Sequence, residues 1–423
     1  MRSVRVITLG CSKNTVDSEH LLAALPSDRF TVCEDGPADV LLLNTCGFIG
    51  DAKEESIAAI FEAIEAKKRG EAGQIVVFGC LSQRYESELR EEIPEVDAWF
   101  GARDLAPMLS WLGVEAPARY IARHMPARKG YAYLKISEGC DRRCSYCAIP
   151  FIRGAHRSVP VEDLVEEART LAAAGVRELI IIAQDTTYYG LDLYGRRALA
   201  DLLRALSAVE GIEWLRIHYS YPAGFPQDVL DEMASNPKIC KYLDIPLQHV
   251  SDKMLSLMHR NVDGAWTREL IAKLRAEVPG VVLRTTMIVG HPGEGEEEFD
   301  ELLQFVREAR FERLGAFTYS EEEGTWGARN LADDVPEDEK NRRYDALMSL
   351  QGSISSSFNM SRIGTVERVI VDDCAGDTLV CRSQYESPEV DGEILVKGSA
   401  PVGSFINVRI VAADDYDLAA EMI

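Results

Sequence analysis

Three cysteines, Cys140, Cys144 and Cys147, fall within eight positions in the stretch EGCDRRCSYCAIP (138–150), with Tyr146 directly before the third. Thiolates are soft ligands that hold zinc or iron–sulfur clusters. A zinc ribbon needs four ligands, commonly two C-x-x-C pairs, and no fourth cysteine lies near in the sequence. Ferredoxin runs likewise supply four cysteines to each cluster. Three thiolates on a four-iron cluster leave one iron open to a substrate or cofactor.

A second set is dispersed. Cys11, Cys46 and Cys80 each close an apolar run: VRVITLGC (4–11), ADVLLLNTC (38–46) and QIVVFGC (74–80). Such runs predict buried strands of a parallel sheet. DSEHLLAALPS (17–27) and DAKEESIAAIFEAIEAKKRG (51–70) read as helices between them. The pattern is that of an open α/β sheet. In a parallel sheet the three thiols emerge at the same carboxyl edge, where such sheets bind ligands. Their spacings of 35 and 34 residues, about one βα unit each, predict a shared metal site. Cys33, Cys240, Cys374 and Cys381 have no ligand pattern and read as small buried apolar residues.

The elements that must carry the first triad form a longer rhythm. YAYLKIS (131–137), ELIIIAQ (178–184), WLRIHYS (214–220), YLDIPLQ (242–248), VLRTTMIVG (282–290) and RLGAFTYS (313–320) read as strands. Helical stretches such as VEDLVEEARTLAAAG (161–175) and EEEFDELLQFVREARFE (296–312) lie between them. Six such units predict a partial or closed β/α barrel with its function at the carboxyl ends of the strands. The cysteine loop directly follows the first of these strands. After a helix and tether, short alternating strands from 357 onward predict a small β-barrel of about 65 residues.

The chain has 423 residues, 46% apolar and 27% charged, which suits a globular protein of two or three domains. No apolar run approaches the roughly 18–20 residues of a membrane span. The opening MRSVRVITLGCSKN lacks a long apolar core and a small-residue cleavage site, so no signal peptide and a cytoplasmic location are expected. The net charge of −23 runs against a general polyanion binder.

C-x3-C-x-aromatic-C at the end of the first barrel strand resembles the signature of radical S-adenosylmethionine (SAM) enzymes. With the three N-terminal cysteines and the C-terminal barrel, nearly the whole chain resembles the methylthiotransferases. That resemblance implies a fold of an N-terminal open α/β sheet, a radical-SAM (β/α)6 partial barrel and a TRAM-like β-barrel. The implied domains are a methylthiotransferase domain at 1–120, a radical SAM core at 126–355 and a TRAM domain at 357–423.

It also implies two 4Fe–4S clusters, one on Cys140, Cys144 and Cys147 and an auxiliary one on Cys11, Cys46 and Cys80. One SAM would donate the methyl group and a second would generate the radical. Tyr146 would pack near the adenine. Gln184 and Asp185 would contact the SAM amino group or nearby substrate, although a turn-cap role is an equally ordinary use of such residues. Gly290, in MIVGHPGE, would let backbone approach the adenine. Gln248 is a further cofactor contact, and Arg216, His218 and His249 are candidates for the barrel mouth. His291 stands where relatives more often carry an apolar residue. No catalytic residue beyond the cluster ligands is expected.

The substrate divides this family between tRNA adenosine and an aspartate β-carbon in ribosomal protein S-twelve. In 357–423, five basic residues (Arg362, Arg368, Arg382, Lys397, Arg409) face twelve acidic ones. An RNA-reading barrel should be basic, whereas an acidic one attracts a basic ribosomal protein or the small subunit. TLGCSKNTVDSE, AQDTTYYG, PLQHVSD and SPEVDG also resemble the protein-modifying branch. The resemblance implies an electron donor such as flavodoxin or ferredoxin, with no direct tRNA contact and no membrane. An iron–sulfur electron carrier is the rival of another class, but it would need two closed four-cysteine clusters.

Overall fold

The computed structural model describes residues 1–125 and 129–423, so the boundary expected at 126 lies outside the described residues. The N-terminal apolar runs form a parallel sheet of β1 (Arg2–Thr8), β2 (Phe30–Val32), β3 (Ala38–Thr45), β4 (Ala72–Gly79) and β5 (Ala98–Trp99), ordered β2-β1-β3-β4-β5. β2 and β5 have three and two residues, too few to show a period in the sequence. Helices α1 (Ser12–Ala23), α2 (Gly50–Lys68) and α3 (Cys80–Glu92) follow β1, β3 and β4. α1 begins before the helix read at 17 because its first turn, SKNT, is polar and carries no apolar period.

Six further parallel strands are β6 (Tyr131–Lys135), β7 (Glu178–Ile182), β8 (Trp214–Ile217), β9 (Ile239–Asp244), β10 (Val282–Val289) and β11 (Arg313–Thr318). They pair in chain order, and β6 and β11 end the sheet without meeting, so the barrel is partial. The longer helices of this region, and the short α4 that follows the cysteine loop, are α4 (Ile149–Arg153), α5 (Val161–Ala173), α6 (Leu199–Ser207), α7 (Gln227–Ser235), α8 (Gly264–Glu277), α9 (Glu296–Ala309) and α10 (Glu337–Ser361). Alternate strand residues such as Leu179, Ile181, Leu215 and Ile217 pack outward into one core with these helices. The residues between them face the lumen.

The last strands, β12 (Val366–Ala375), β13 (Thr378–Arg382), β14 (Ile394–Lys397), β15 (Phe405–Ala413) and β16 (Leu418–Met422), close into a barrel ordered β12-β13-β14-β16-β15. Its segment 383–391, which contains SPEVD, enters the lumen of the larger barrel. Arg216 donates to Glu178 at 2.7 Å and to the carbonyls of Gln384 and Ser383 at 2.9 and 3.2 Å. Arg382 joins Glu178 from the other side at 2.8 Å. Glu386 takes Arg313 at 3.0 Å and also Arg362. Tyr242 donates to Asp391 at 2.7 Å, and Tyr131 and Tyr133 donate to Glu389 at 2.9 and 2.8 Å. Ser387 lies 2.9 Å from His218.

Arg216 and His218 are therefore not at the mouth. Strand alternation turns them into the lumen as expected, but the C-terminal segment fills the lumen there. Of the four cysteines read as buried, Cys240 and Cys381 are so. Cys33 is half-buried, and Cys374 is exposed because β12 runs past the rim of its barrel. Among the described residues no helix is long and apolar enough to cross a membrane.

Candidate active site

The dispersed triad is assembled by close packing at the sheet edge. Cys11 caps α1, Cys46 directly follows β3, and Cys80 opens α3. Gly10 has φ +87°, and a Cβ there would lie 2.7 Å from Cys46 Cβ and 3.0 Å from its Sγ. A Cβ on Gly47 would lie 2.6 Å from Leu81 Cα. Real side chains do not tolerate such distances, so both glycines are needed to bring the three strand ends together. Cys46 and Cys80 are buried and Cys11 is exposed.

The local triad sits on the loop after β6. Gly139 has φ +78°, and a Cβ there would stand 2.1 Å from the Ala155 carbonyl. The Cys140 amide donates to the Gly154 carbonyl at 3.0 Å. The Arg142 amide donates to Cys140 Sγ and Arg260 Nη1 to Cys144 Sγ, both at 3.4 Å. Burial pushes the Cys46 thiol up to about 11 and Cys140 up to about 12, and it raises Cys80 and Cys147 too. Metal binding must therefore displace protons from these thiols. Among the described residues no group of His, Cys, Asp or Glu converges on a single ion. A cubane is ligated at separate corners, so its thiols stand further apart than the ligands of one ion.

Helix α4 joins the two triads. It starts two residues after Cys147, and Ala148 and Ile152 pack with Cys80 and Ala102 in one apolar cluster. Its last residue, Arg153, is 3% exposed. Arg153 donates to Asp17 at 2.7 Å, Glu138 at 3.1 Å, the Ala102 carbonyl at 3.2 Å and Asn14 at 2.5 Å. Asn14 Oδ1 is in turn 3.9 Å from Cys80 Sγ. Lys135 completes the knot with Asp17 and Glu138. At another point of the seam, Glu322 takes Arg84 at 2.7 Å and Lys53 at 3.0 Å, while Arg84 also holds the Gly47 carbonyl at 2.9 Å.

Comparison with known families matches residues 3–101 to an uncharacterized protein family, UPF0004, 134–306 to the radical SAM superfamily and 363–423 to the TRAM domain. The chain is 51% identical to a protein of Porphyromonas gingivalis named ribosomal protein uS12 methylthiotransferase RimO, covering 99% of each. It is 48% identical to the protein of that name from Bacteroides thetaiotaomicron, covering 100% of this chain and 98% of the other. The chain belongs to the RimO family. Among solved structures, the radical SAM methyltransferase TsrM from Kitasatospora setae superposes with TM-score 0.58 at 14% identity over 75% of each chain. The cobalamin-dependent SAM radical enzyme OxsB gives 0.53 at 13% identity, over 84% of this chain and 56% of that one. At such identities these two attest the fold alone.

The residues of this RimO-family chain suit a bound SAM at several points. Gln184 donates to Glu138 at 2.8 Å, which leaves its amide oxygen buried without a partner. Gln248, at φ +75°, likewise keeps an unpartnered buried amide oxygen. Arg142 Nη2 is a buried donor in the same condition. Two acceptors and a donor are what an amino group and a carboxylate require. Tyr146 packs edge-on to His291 at 6.5 Å between ring centres, with Arg260 Nη1 3.4 Å from its hydroxyl.

Other candidates take structural places. Asp185 caps the turn at Thr187 with one oxygen and holds Arg142 at 2.9 Å with the other. Gly290 has φ +74°, and a Cβ there would meet Lys340 at 2.3 Å, so packing against α10 already demands glycine. His249 is fully buried opposite Glu294, 3.4 Å away. Burial lowers His218 to about 3 and His291 to about 4, so both rings are neutral near neutral pH.

Sequence reading missed Asn14, Asp17, Glu138, Arg142 and Arg153, although the first four stand inside motifs already singled out and Arg153 lies three residues past one. Arg260 had no signal, being 116 residues from the cysteine it touches.

Proposed function

We propose that this chain is a radical SAM methylthiotransferase that inserts a methylthio group at the β-carbon of an aspartate in ribosomal protein uS12. Cys140, Cys144 and Cys147 would hold the SAM-binding 4Fe–4S cluster, and Cys11, Cys46 and Cys80 the auxiliary one. The observation that carries this reading is the pair of three-cysteine sites joined through α4, each short of the fourth ligand that a closed cluster would have. When bound, the two clusters and two SAM molecules supply the sulfur, the methyl group and the radical chemistry. A flavodoxin or ferredoxin would serve as electron donor.

The protein's own part is placement and exclusion of water. The Arg153, Asp17, Lys135 and Glu138 knot and the Arg84, Glu322 and Lys53 clasp fasten the N-terminal sheet to the barrel mouth. Gln184, Gln248 and Arg142, with their unpartnered buried polar atoms, would hold the polar groups of SAM, and the ring of Tyr146 would pack near its adenine. The three domains proposed are 1–120, 126–355 and 357–423.

A TRAM domain favours a second reading, tRNA adenosine as substrate. Surface charge argues against it. Arg362 and Arg382 are consumed in buried pairs, leaving Arg368, Lys397 and Arg409 exposed. Asp373, Asp377, Glu393, Asp414, Asp415, Asp417 and Glu421 remain exposed as well. That surface repels a phosphate backbone and attracts a basic protein. Mass spectrometry of uS12 from cells lacking the chain tests the proposal. One methylthio group should be missing from an aspartate, and an unchanged uS12 mass with unmethylthiolated tRNA would select the second reading.

A further inference from the structure

Lys13 stands in the first turn of α1, two residues after Cys11, and is only 8% exposed. The carboxylate placed to pair with it one helical turn on, Asp17, is already held by Lys135 and Arg153. Among the described residues Lys13 Nζ makes no ion pair and no hydrogen bond; it lies 3.1 Å from the ring centre of Tyr219. The hydroxyl of the adjoining Ser12 is also buried without a partner. Buried charges are normally paired, and an aromatic face offsets only part of the cost of removing an ammonium from water. An unpaired buried cation beside a reaction site is what a site awaiting an anion presents.

Its position agrees with that reading. Tyr219 follows the carboxyl end of β8 and holds φ +57°, an unfavourable region for a tyrosine. It is braced on both sides: its amide donates to Asp244 at 3.0 Å and its carbonyl accepts from the Thr186 amide at 3.1 Å. The barrel mouth thus offers a fixed ring to a lysine carried on the element that begins at the auxiliary triad. The place exists only where the two meet.

We infer that Lys13 is the specificity residue that takes the side-chain carboxylate of the target aspartate. The inference rests on the uS12 reading above. In an aspartate the carboxylate is bonded to the β-carbon that reacts, so fixing it fixes that carbon between the triads. An asparagine at the same place would leave the ammonium unpaired, which gives the site its preference.

The test is binding of recombinant uS12, carrying aspartate or asparagine at the target position, to the full cluster-loaded chain, with SAM affinity measured in parallel. The wild type should prefer the aspartate form by about tenfold or more, the range of a desolvated charge pair. Lys13→Met should bring the ratio near unity with iron content and SAM affinity unchanged. Lys13→Arg should keep most of the preference, and Lys13→Gln repeats the loss should the methionine variant fold poorly. A Lys13→Met protein that keeps the preference overturns the inference. So does one that keeps it while losing SAM affinity, since the ammonium would then serve the cofactor. A wild type that modifies uS12 without preferring aspartate refutes the role of Lys13 alone. A wild type that neither binds nor modifies uS12 removes the substrate reading and the inference with it.

Discussion

Cys140, Cys144 and Cys147 belong to one loop, whereas Cys11, Cys46 and Cys80 come from three strand ends that only the folded sheet brings together. The loop triad depends on its own turn chemistry, with Gly139 and the hydrogen bond from Cys140 to Gly154. The sheet triad depends on packing over long sequence separations, through Gly10 against Cys46 and Gly47 against Leu81. A site of the first kind survives local damage elsewhere. One of the second kind fails with the sheet edge, and its geometry is set partly by the other domain through α4 and Arg153.

The largest effects should separate the two sites cleanly. Cys144→Ala is expected to abolish deoxyadenosine formation while the auxiliary site still loads iron, and Cys46→Ala to spare SAM cleavage but stop methylthio transfer. Deoxyadenosine and product assays on both variants check this, and transfer by the Cys46 variant would show the sheet triad to be wrongly assigned. Arg153→Met should come next, because it removes one of the two cations of the knot and leaves Asp17 and Glu138 sharing Lys135. Removing one partner of a buried ion network costs about 3–5 kcal/mol, readable by denaturant unfolding. Iron loss should be greater at the sheet triad than at the loop triad.

Gly47→Ala is a smaller lesion. Overpacking against the α3 backbone costs about 1–3 kcal/mol and should lower auxiliary iron alone, as Mössbauer spectra would report. Equal loss at both sites would erase the distinction between them. The mildest test is acid. Burial opposes ionisation of Glu138, yet Lys135 and Arg153 hold it down to about 2, below its ordinary 4.5. A carboxyl lowered in the folded state contributes stability above its unfolded pKa, and that contribution fades as pH falls from about 4.5 toward 2. Cluster-free protein should therefore lose Tm across that window, and Glu138→Gln should flatten the slope.

Much of this arrangement was legible in the sequence because it is periodic or local. The six barrel strands are short, mostly apolar runs that recur with helical stretches between them, and the loop triad is written in eight consecutive positions. The sheet triad was legible because parallel strands share a carboxyl edge. What escaped depends on partners far apart in the chain. Strand alternation turned Arg216 and His218 into the lumen, but nothing near them in sequence tells that residues 383–391 fill it. Asp185 and Gly290 show the converse: a residue type suited to a cofactor is also suited to a cap or a packed helix, and sequence alone does not separate the two uses. The acidic count of the last barrel likewise mixed surface charges with Asp372, Glu386 and Asp391, which are spent on internal pairs.

The segment 383–391 makes the C-terminal barrel a keystone. A chain cut after α10 would expose Arg216, Glu178, Tyr242 and Arg313 in an unfilled lumen, so the smaller barrel cannot be deleted as a detachable tail. Exchange between relatives would likewise have to move the segment and its lumen contacts as one unit. Any inheritance of a new substrate-reading surface on that barrel is thereby tied to the interior of the catalytic one.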